Sequence, residues 1–144
     1  RRLSGLLDGL AKRRIGVLGL TYKPGTSTMR RAVSLTVISE LVEQGASVAA
    51  FDPIADLTEV PQLPPMRIGA DPYDVAKDCD ALVLITEWDG IDKVDWHRVR
   101  SLMAGDVLLD TRNVLDALQL VEAGFKYYGI GRQLSQPQTS EVSA

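Results

Sequence analysis

A chain of 144 residues, 45% hydrophobic and 24% charged, has room for one domain with a core of ordinary size. Its net charge of -3 and the lack of any long basic cluster argue against a nucleic-acid surface, and no apolar run approaches the ~18 residues of a membrane span. A single cysteine, Cys79, and a single histidine, His97, exclude an internal disulfide and leave almost no metal chemistry, a composition that suits a reducing cytoplasm.

The opening, RRLSGLLDGL, has no initiator methionine and no signal-peptide pattern, so the chain is expected to be cut from a longer protein. Leu3, Leu6, Leu7 and Leu10 recur at i, i+3, i+4 and i+7, predicting an amphipathic helix whose stripe needs a partner surface. RIGVLGL (14–20) reads as a strand ending in glycine. Leu35, Ile38, Leu41 and Val42 then mark a helix stopped by Gly45, and SVAAFDP (47–53) a second strand, which completes a βαβ unit. The proline-rich stretch 54–65 predicts a surface excursion, followed by a short strand near MRIG (66–69) and a short helix within 71–80. ALVLIT (81–86) is apolar enough for a strand buried on both faces. Trp96, Val99 and Leu102 mark a helix and VLLD (107–110) a strand. Leu115, Leu118 and Val121 mark a further helix ending at Gly124, and FKYYGIG (125–131) is the last strand. The last residues, QLSQPQTSEVSA, carry no pattern and are expected to form a disordered tail over 132–144.

Alternating strands and helices predict an α/β fold: a Rossmann-like, doubly wound parallel sheet of five or six strands in three layers. Ligands of such sheets bind at the carboxyl ends of the strands, so the loops after Gly19, Thr86 and Asp110 carry the functional weight. The first loop lacks the G-x-G-x-x-G spacing of a dinucleotide site. It offers Lys23 and Arg30 close to a helix start, where they serve either as anion ligands or as solvated loop cations. Asp52 ends the second strand, as a ribose-binding carboxylate or as the organiser of an Asp-Pro turn. Arg112 leaves the strand at 107–110 and either faces the crevice or pairs with Asp110 or Asp116. Cys79, flanked by Asp78 and Asp80, is expected to be a poor nucleophile and a bystander. His97 is expected on a helix surface, and Glu87, Asp89, Asp92 and Asp95 are expected to cap and solvate a loop.

Four pieces in this order, GLTYKPGTSTMRRAVS, AAFDP, DALVLITEWD and LLDTRNVLD, resemble the C-terminal domain of the UDP-glucose/GDP-mannose dehydrogenase family over about residues 14–131. The resemblance implies a nucleotide-sugar-binding domain (14–131) from an NAD-dependent enzyme of the UDP-glucose 6-dehydrogenase type, which oxidises the C6 alcohol of a UDP-sugar to a uronate. It implies that Tyr22, Lys23 and Arg112 contact the sugar nucleotide and that Arg30 approaches the NAD pyrophosphate. It also implies that N-terminal and central domains hold most of the NAD and the catalytic cysteine, that residues 1–13 end an inter-domain helix, and that the full-length protein is a homodimer. The fragment alone is then expected to be inactive, with no catalytic or metal-binding residue of its own. Where the family usually carries acidic residues, this chain has Ser27, Thr28 and Arg31, and Val33 stands where proline is frequent. The alternative is a standalone module that senses a nucleotide or coenzyme A without chemistry.

Overall fold

Short apolar runs without polar interruption become the strands, and segments of 3.6-residue period become the helices between them. In the computed structural model, which describes residues 2–21, 33–60 and 62–129, the order is α1 (Arg2–Leu7), β1 (Arg14–Leu18), α2 (Val33–Glu43), β2 (Ser47–Phe51), β3 (Arg67–Ile68), α3 (Pro72–Ala76), β4 (Ala81–Leu84), α4 (Trp96–Leu102), β5 (Val107–Asp110), α5 (Ala117–Glu122) and β6 (Lys126–Gly129). One-turn 3-10 helices interrupt the loops at Leu57–Glu59 and Ile91–Lys93.

All six strands are parallel and lie in the order β3-β2-β1-β4-β5-β6. The order reverses between β1 and β4, and a doubly wound sheet opens its crevice outside the carboxyl ends of such a pair. Every residue of β4 and β5 is buried, which explains why ALVL and VLLD read as continuous rather than alternating apolar runs.

Two hydrophobic clusters flank the sheet. Ile15, Val17, Val48, Ala50, Val83 and Leu109 pack with Leu3, Ile38 and Leu41 on one side. On the other, Leu18, Leu82, Leu84, Leu108 and Tyr127 pack with Val75, Trp96, Val99 and Leu120. The predicted α/β/α layering is therefore present.

Two predicted patterns differ in detail. The N-terminal helix ends at Leu7, and Asp8 and Gly9 then turn the chain at positive φ, yet Leu3 and Leu10 both enter the core, so this domain's own sheet supplies the stripe's partner. In the last helix Leu118 is 77% exposed and Leu120 is fully buried. Asp116 caps α5 by accepting from the N-H groups of Leu118 and Gln119, which sets the apolar stripe at Ala117, Leu120 and Val121.

Candidate functional site

The carboxyl ends of β1, β2, β4 and β5 are tied to one another by backbone and buried side-chain groups. Gly19 leaves β1 with φ of 88° and donates its N-H to the Phe51 carbonyl at 2.8 Å, and a Cβ here would collide with the Thr86 carbonyl. Only glycine permits both the turn and the approach. Thr86 is buried, and its hydroxyl donates to the Thr21 carbonyl at 2.8 Å, joining the loop after β4 to the loop after β1. The Ser34 hydroxyl, from the first turn of α2, donates to the Leu20 carbonyl at 2.8 Å.

Asp52 binds the same loop from the end of β2. One carboxylate oxygen accepts from Leu20 N (2.7 Å) and Thr21 N (3.2 Å), and the other from Ile54 N (2.9 Å) and Ala55 N (3.1 Å). Four backbone donors on one carboxylate make Asp52 a loop organiser, the second of the two readings that its position before proline allowed.

Asp110 does the corresponding work after β5. It is fully buried, and it accepts from the N-H groups of Arg112, Asn113, Val114 and Leu115 at 2.8–3.0 Å and from the Tyr127 hydroxyl at 2.7 Å. Thr111 adds a hydroxyl bond to the Leu84 carbonyl at 2.7 Å. The backbone from which Arg112 projects is thus set on both sides.

Arg112 pairs with neither Asp110 nor Asp116. Its Nε donates to Glu87 Oε1 at 2.9 Å, across from the loop after β4. With side chains 43% and 25% exposed, this pair is worth on the order of 0.2–1 kcal/mol. It positions the guanidinium weakly, and a competing anion can displace Glu87. Phe51, at the end of β2, and Trp88, in the loop after β4, stack edge to face with ring centroids 5.6 Å apart and form an aromatic wall.

Of the predicted site residues, Arg112 is brought to the crevice, while Tyr22, Lys23 and Arg30 lie outside the described residues, as do Ser27, Thr28 and Arg31. Sequence reasoning missed Glu87 as a partner, Thr86 as a clamp and the Phe51–Trp88 wall. Glu87 and Trp88 lie directly after the apolar run 81–86, a position that could have marked them.

Cys79 is buried, donates its thiol to the Val75 carbonyl at 2.8 Å, and lies before β4 at the opposite edge of the sheet. Its pKa is pushed up to about 11, chiefly by burial, with Asp80 and Asp78 adding little against the opposing Arg14 and Arg67. The expected inert thiol is present, but desolvation outweighs the flanking acids as its cause. His97 is exposed on α4, and Asp95 caps that helix through the Arg98 N-H. Among the described residues no cluster of three potential metal ligands exists, and no helix is long and apolar enough to cross a membrane.

The sequence profile of the UDP-glucose/GDP-mannose dehydrogenase family, UDP binding domain, matches residues 16–117, which span the tied strand ends from β1 to the start of α5. The chain belongs to this family. Over 119 residues it is 37% identical to the UDP-glucose 6-dehydrogenase of Rhizobium meliloti, covering 83% of this chain and 27% of that protein. It is 32% identical over 133 residues to the UDP-glucose 6-dehydrogenase TuaD of Bacillus subtilis, covering 91% and 29%. The structure of a UDP-glucose dehydrogenase from Pyrobaculum islandicum superimposes with a TM-score of 0.71 at 28% identity, covering 90% of this chain and 28% of that one. The chain spans less than a third of the length of each of these relatives.

Proposed function

We propose that this chain is the nucleotide-sugar-binding part of an NAD-dependent dehydrogenase that oxidises the C6 alcohol of a UDP-sugar to the uronate. The observation that carries the reading is Arg112, held at the carboxyl edge by the Asp110 network and paired, among the described residues, with the displaceable Glu87. A guanidinium so placed can direct two hydrogen bonds at phosphate or sugar oxygens. The family membership and the names of the relatives support UDP-glucose as the substrate class. Tyr22 and Lys23 are assigned to the same sugar nucleotide and Arg30 to the cofactor side, by their match to the family's motif.

The described residues do not fit a complete dinucleotide site. The glycine fingerprint is absent, and Asp52, the position for a ribose carboxylate, already accepts four backbone N-H groups. NAD, which supplies hydride acceptance when bound, is therefore assigned mainly to an upstream domain, with residues 1–13, whose helix ends at Leu7, the stretch leading from it and a homodimer as the full-length assembly. The contribution of this chain is to bind and orient the nucleotide sugar. Cys79, protonated and buried far from the crevice, is no nucleophile for the oxidation, so the chain alone should reduce no NAD.

Titration of the chain with UDP, monitored by amide chemical shifts, tests the reading. Shifts are expected at Gly19–Thr21, at Asp52, from Thr86 to Trp88 and from Thr111 to Asn113, with GDP and NAD giving smaller ones. Saturating UDP that leaves these amides unmoved while shifting others would refute it.

A further inference from the structure

Among the described residues the exposed large apolar side chains are Val33, Ile54, Ile68, Val114 and Leu118, at 44% to 77% exposure. All of them lie at the carboxyl edge of the sheet. Val33 opens α2, and its neighbour Ser34 bonds the Leu20 carbonyl just after β1. Ile54 follows β2 and donates its N-H to Asp52, and Ile68 is the last residue of β3. Val114 donates its N-H to Asp110 after β5, and Leu118 lies in the first turn of α5.

The amino edge is built otherwise. Lys12, Arg14, Lys77, Asp78 and Lys126 are exposed there, and Arg13 and Arg14 face Asp80 and Asp78 at 4.0 and 3.9 Å. Cations interleaved with acids make a surface finished for water. Exposed apolar residues scattered singly are ordinary and need no explanation. These are not scattered: one edge holds every one among the described residues and the other holds none.

Local structure does not ask for them. Leu118 stands where the helix dipole favours an acid, while α5 fills the core with Leu120 instead. Ile54 sits in the turn that Asp52 organises, where polar residues are the rule. The set also straddles the crevice, with Val33, Ile54 and Ile68 beyond β1, β2 and β3 on one flank and Val114 and Leu118 beyond β5 on the other. From β3 to β5 the sheet order β3-β2-β1-β4-β5 spans about 20 Å. That is the scale of an interface between two domains of one chain.

We propose that the carboxyl edge is a docking surface for the remainder of the same protein, whose apolar face covers Val33, Ile54, Ile68, Val114 and Leu118 on both flanks of the crevice. The assignment rests on the reading of this chain as one part of a longer dehydrogenase: it spans less than a third of each relative, so most of such a protein lies outside it. An apolar rim suits a covalently attached partner. Tethering supplies a high effective concentration, so the contact needs neither charge steering nor much affinity of its own.

Leu118→Cys and Glu122→Cys place thiols at opposite ends of α5, one at each edge of the sheet and both exposed, while the native Cys79 is buried. Their alkylation by iodoacetamide, followed peptide by peptide with mass spectrometry, is compared between the 144-residue chain and the full-length protein. The Leu118→Cys thiol should react about tenfold more slowly in the full-length protein, as for a face open about a tenth of the time. The thiol of Ile54→Cys, on the opposite flank, should slow likewise, and that of Glu122→Cys should keep its rate. Equal rates for Leu118→Cys in the two proteins would overturn the proposal. So would protection already present in the 144-residue chain that grows with its concentration, since the occupant would then be a second copy. Alkylation needs no nucleotide, so protection without UDP binding would sink the substrate reading and keep the docking surface, and UDP binding without protection would do the reverse.

Discussion

Asp110→Asn is the sharpest perturbation of the crevice, because it changes the hydrogen-bond chemistry of a fully buried group with almost no change of shape. Oδ1 accepts from two backbone N-H groups, at 2.9 and 2.8 Å. Oδ2 accepts from two more, at 3.0 and 2.9 Å, and from the Tyr127 hydroxyl at 2.7 Å. Asparagine's best orientation keeps its oxygen at the Oδ2 position and turns the NH2 group onto Arg112 N and Asn113 N, donor against donor. Two charge-assisted bonds are then lost at roughly 1.5 kcal/mol or more each, and three others weaken with the loss of charge, so the cost is about 3–5 kcal/mol. For a domain of this size that lowers the melting temperature by on the order of 10 °C. Urea unfolding followed by circular dichroism measures it, with Tyr127→Phe as the comparison, expected to lose only about 1–2 kcal/mol because the four N-H donors still satisfy the carboxylate. Because the same carboxylate sets the backbone of Arg112, UDP affinity should fall with stability. A loss below about 1 kcal/mol at unchanged m-value would refute the reasoning, since it would mean that water or a local shift satisfies the freed donors.

Gly19→Ala should be more severe than a helix-propensity change, roughly 3 kcal/mol or more, because the added Cβ meets the Thr86 backbone, which cannot turn aside as a side chain can; a midpoint in urea close to wild type would contradict it. Glu87→Gln should change stability by less than about 1 kcal/mol but tighten UDP by a few-fold, since it releases the Arg112 guanidinium to the ligand. Arg112→Lys, by calorimetric titration, should weaken UDP by about tenfold while leaving the fold intact, and equal affinity would remove Arg112 from the site. Cys79 carries a folded pKa of about 11 against 9.0 for a free thiol, so it leaves stability untouched below pH 9.0 and destabilises the fold as pH rises toward about 11. There the unfolded chain loses the proton first, and the loss approaches about 2–3 kcal/mol. Cys79→Ala should flatten that part of the alkaline stability curve, and an identical slope in both proteins would show that the thiol contributes nothing to it.

The sequence by itself determined the kind and order of the elements, and left the sheet at five or six strands. An uninterrupted apolar run such as ALVL or a stripe such as Leu35, Ile38 and Leu41 is a local property, set by the period with which each backbone presents its side chains. Alternation of the two kinds then left little choice but a parallel sheet with its crevice at the carboxyl ends. The motifs of the β1, β4 and β5 loops were legible for the same reason, since each lies beside its strand. What only the tertiary structure decided were the pairings across the sheet. Arg112 meets Glu87 rather than the nearer Asp110 or Asp116 because β4 and β5 are neighbours and Asp110 points inward to five donors. Asp52 reaches Leu20 and Thr21, 32 and 31 residues away, because β1 and β2 are adjacent. Leu120 replaces Leu118 in the core because the Asp116 cap sets the phase of α5, and a cap is invisible to a count of apolar spacing. Local periodicity specifies an element, but sheet order specifies which element's end lies beside which, and a binding site is built from those ends.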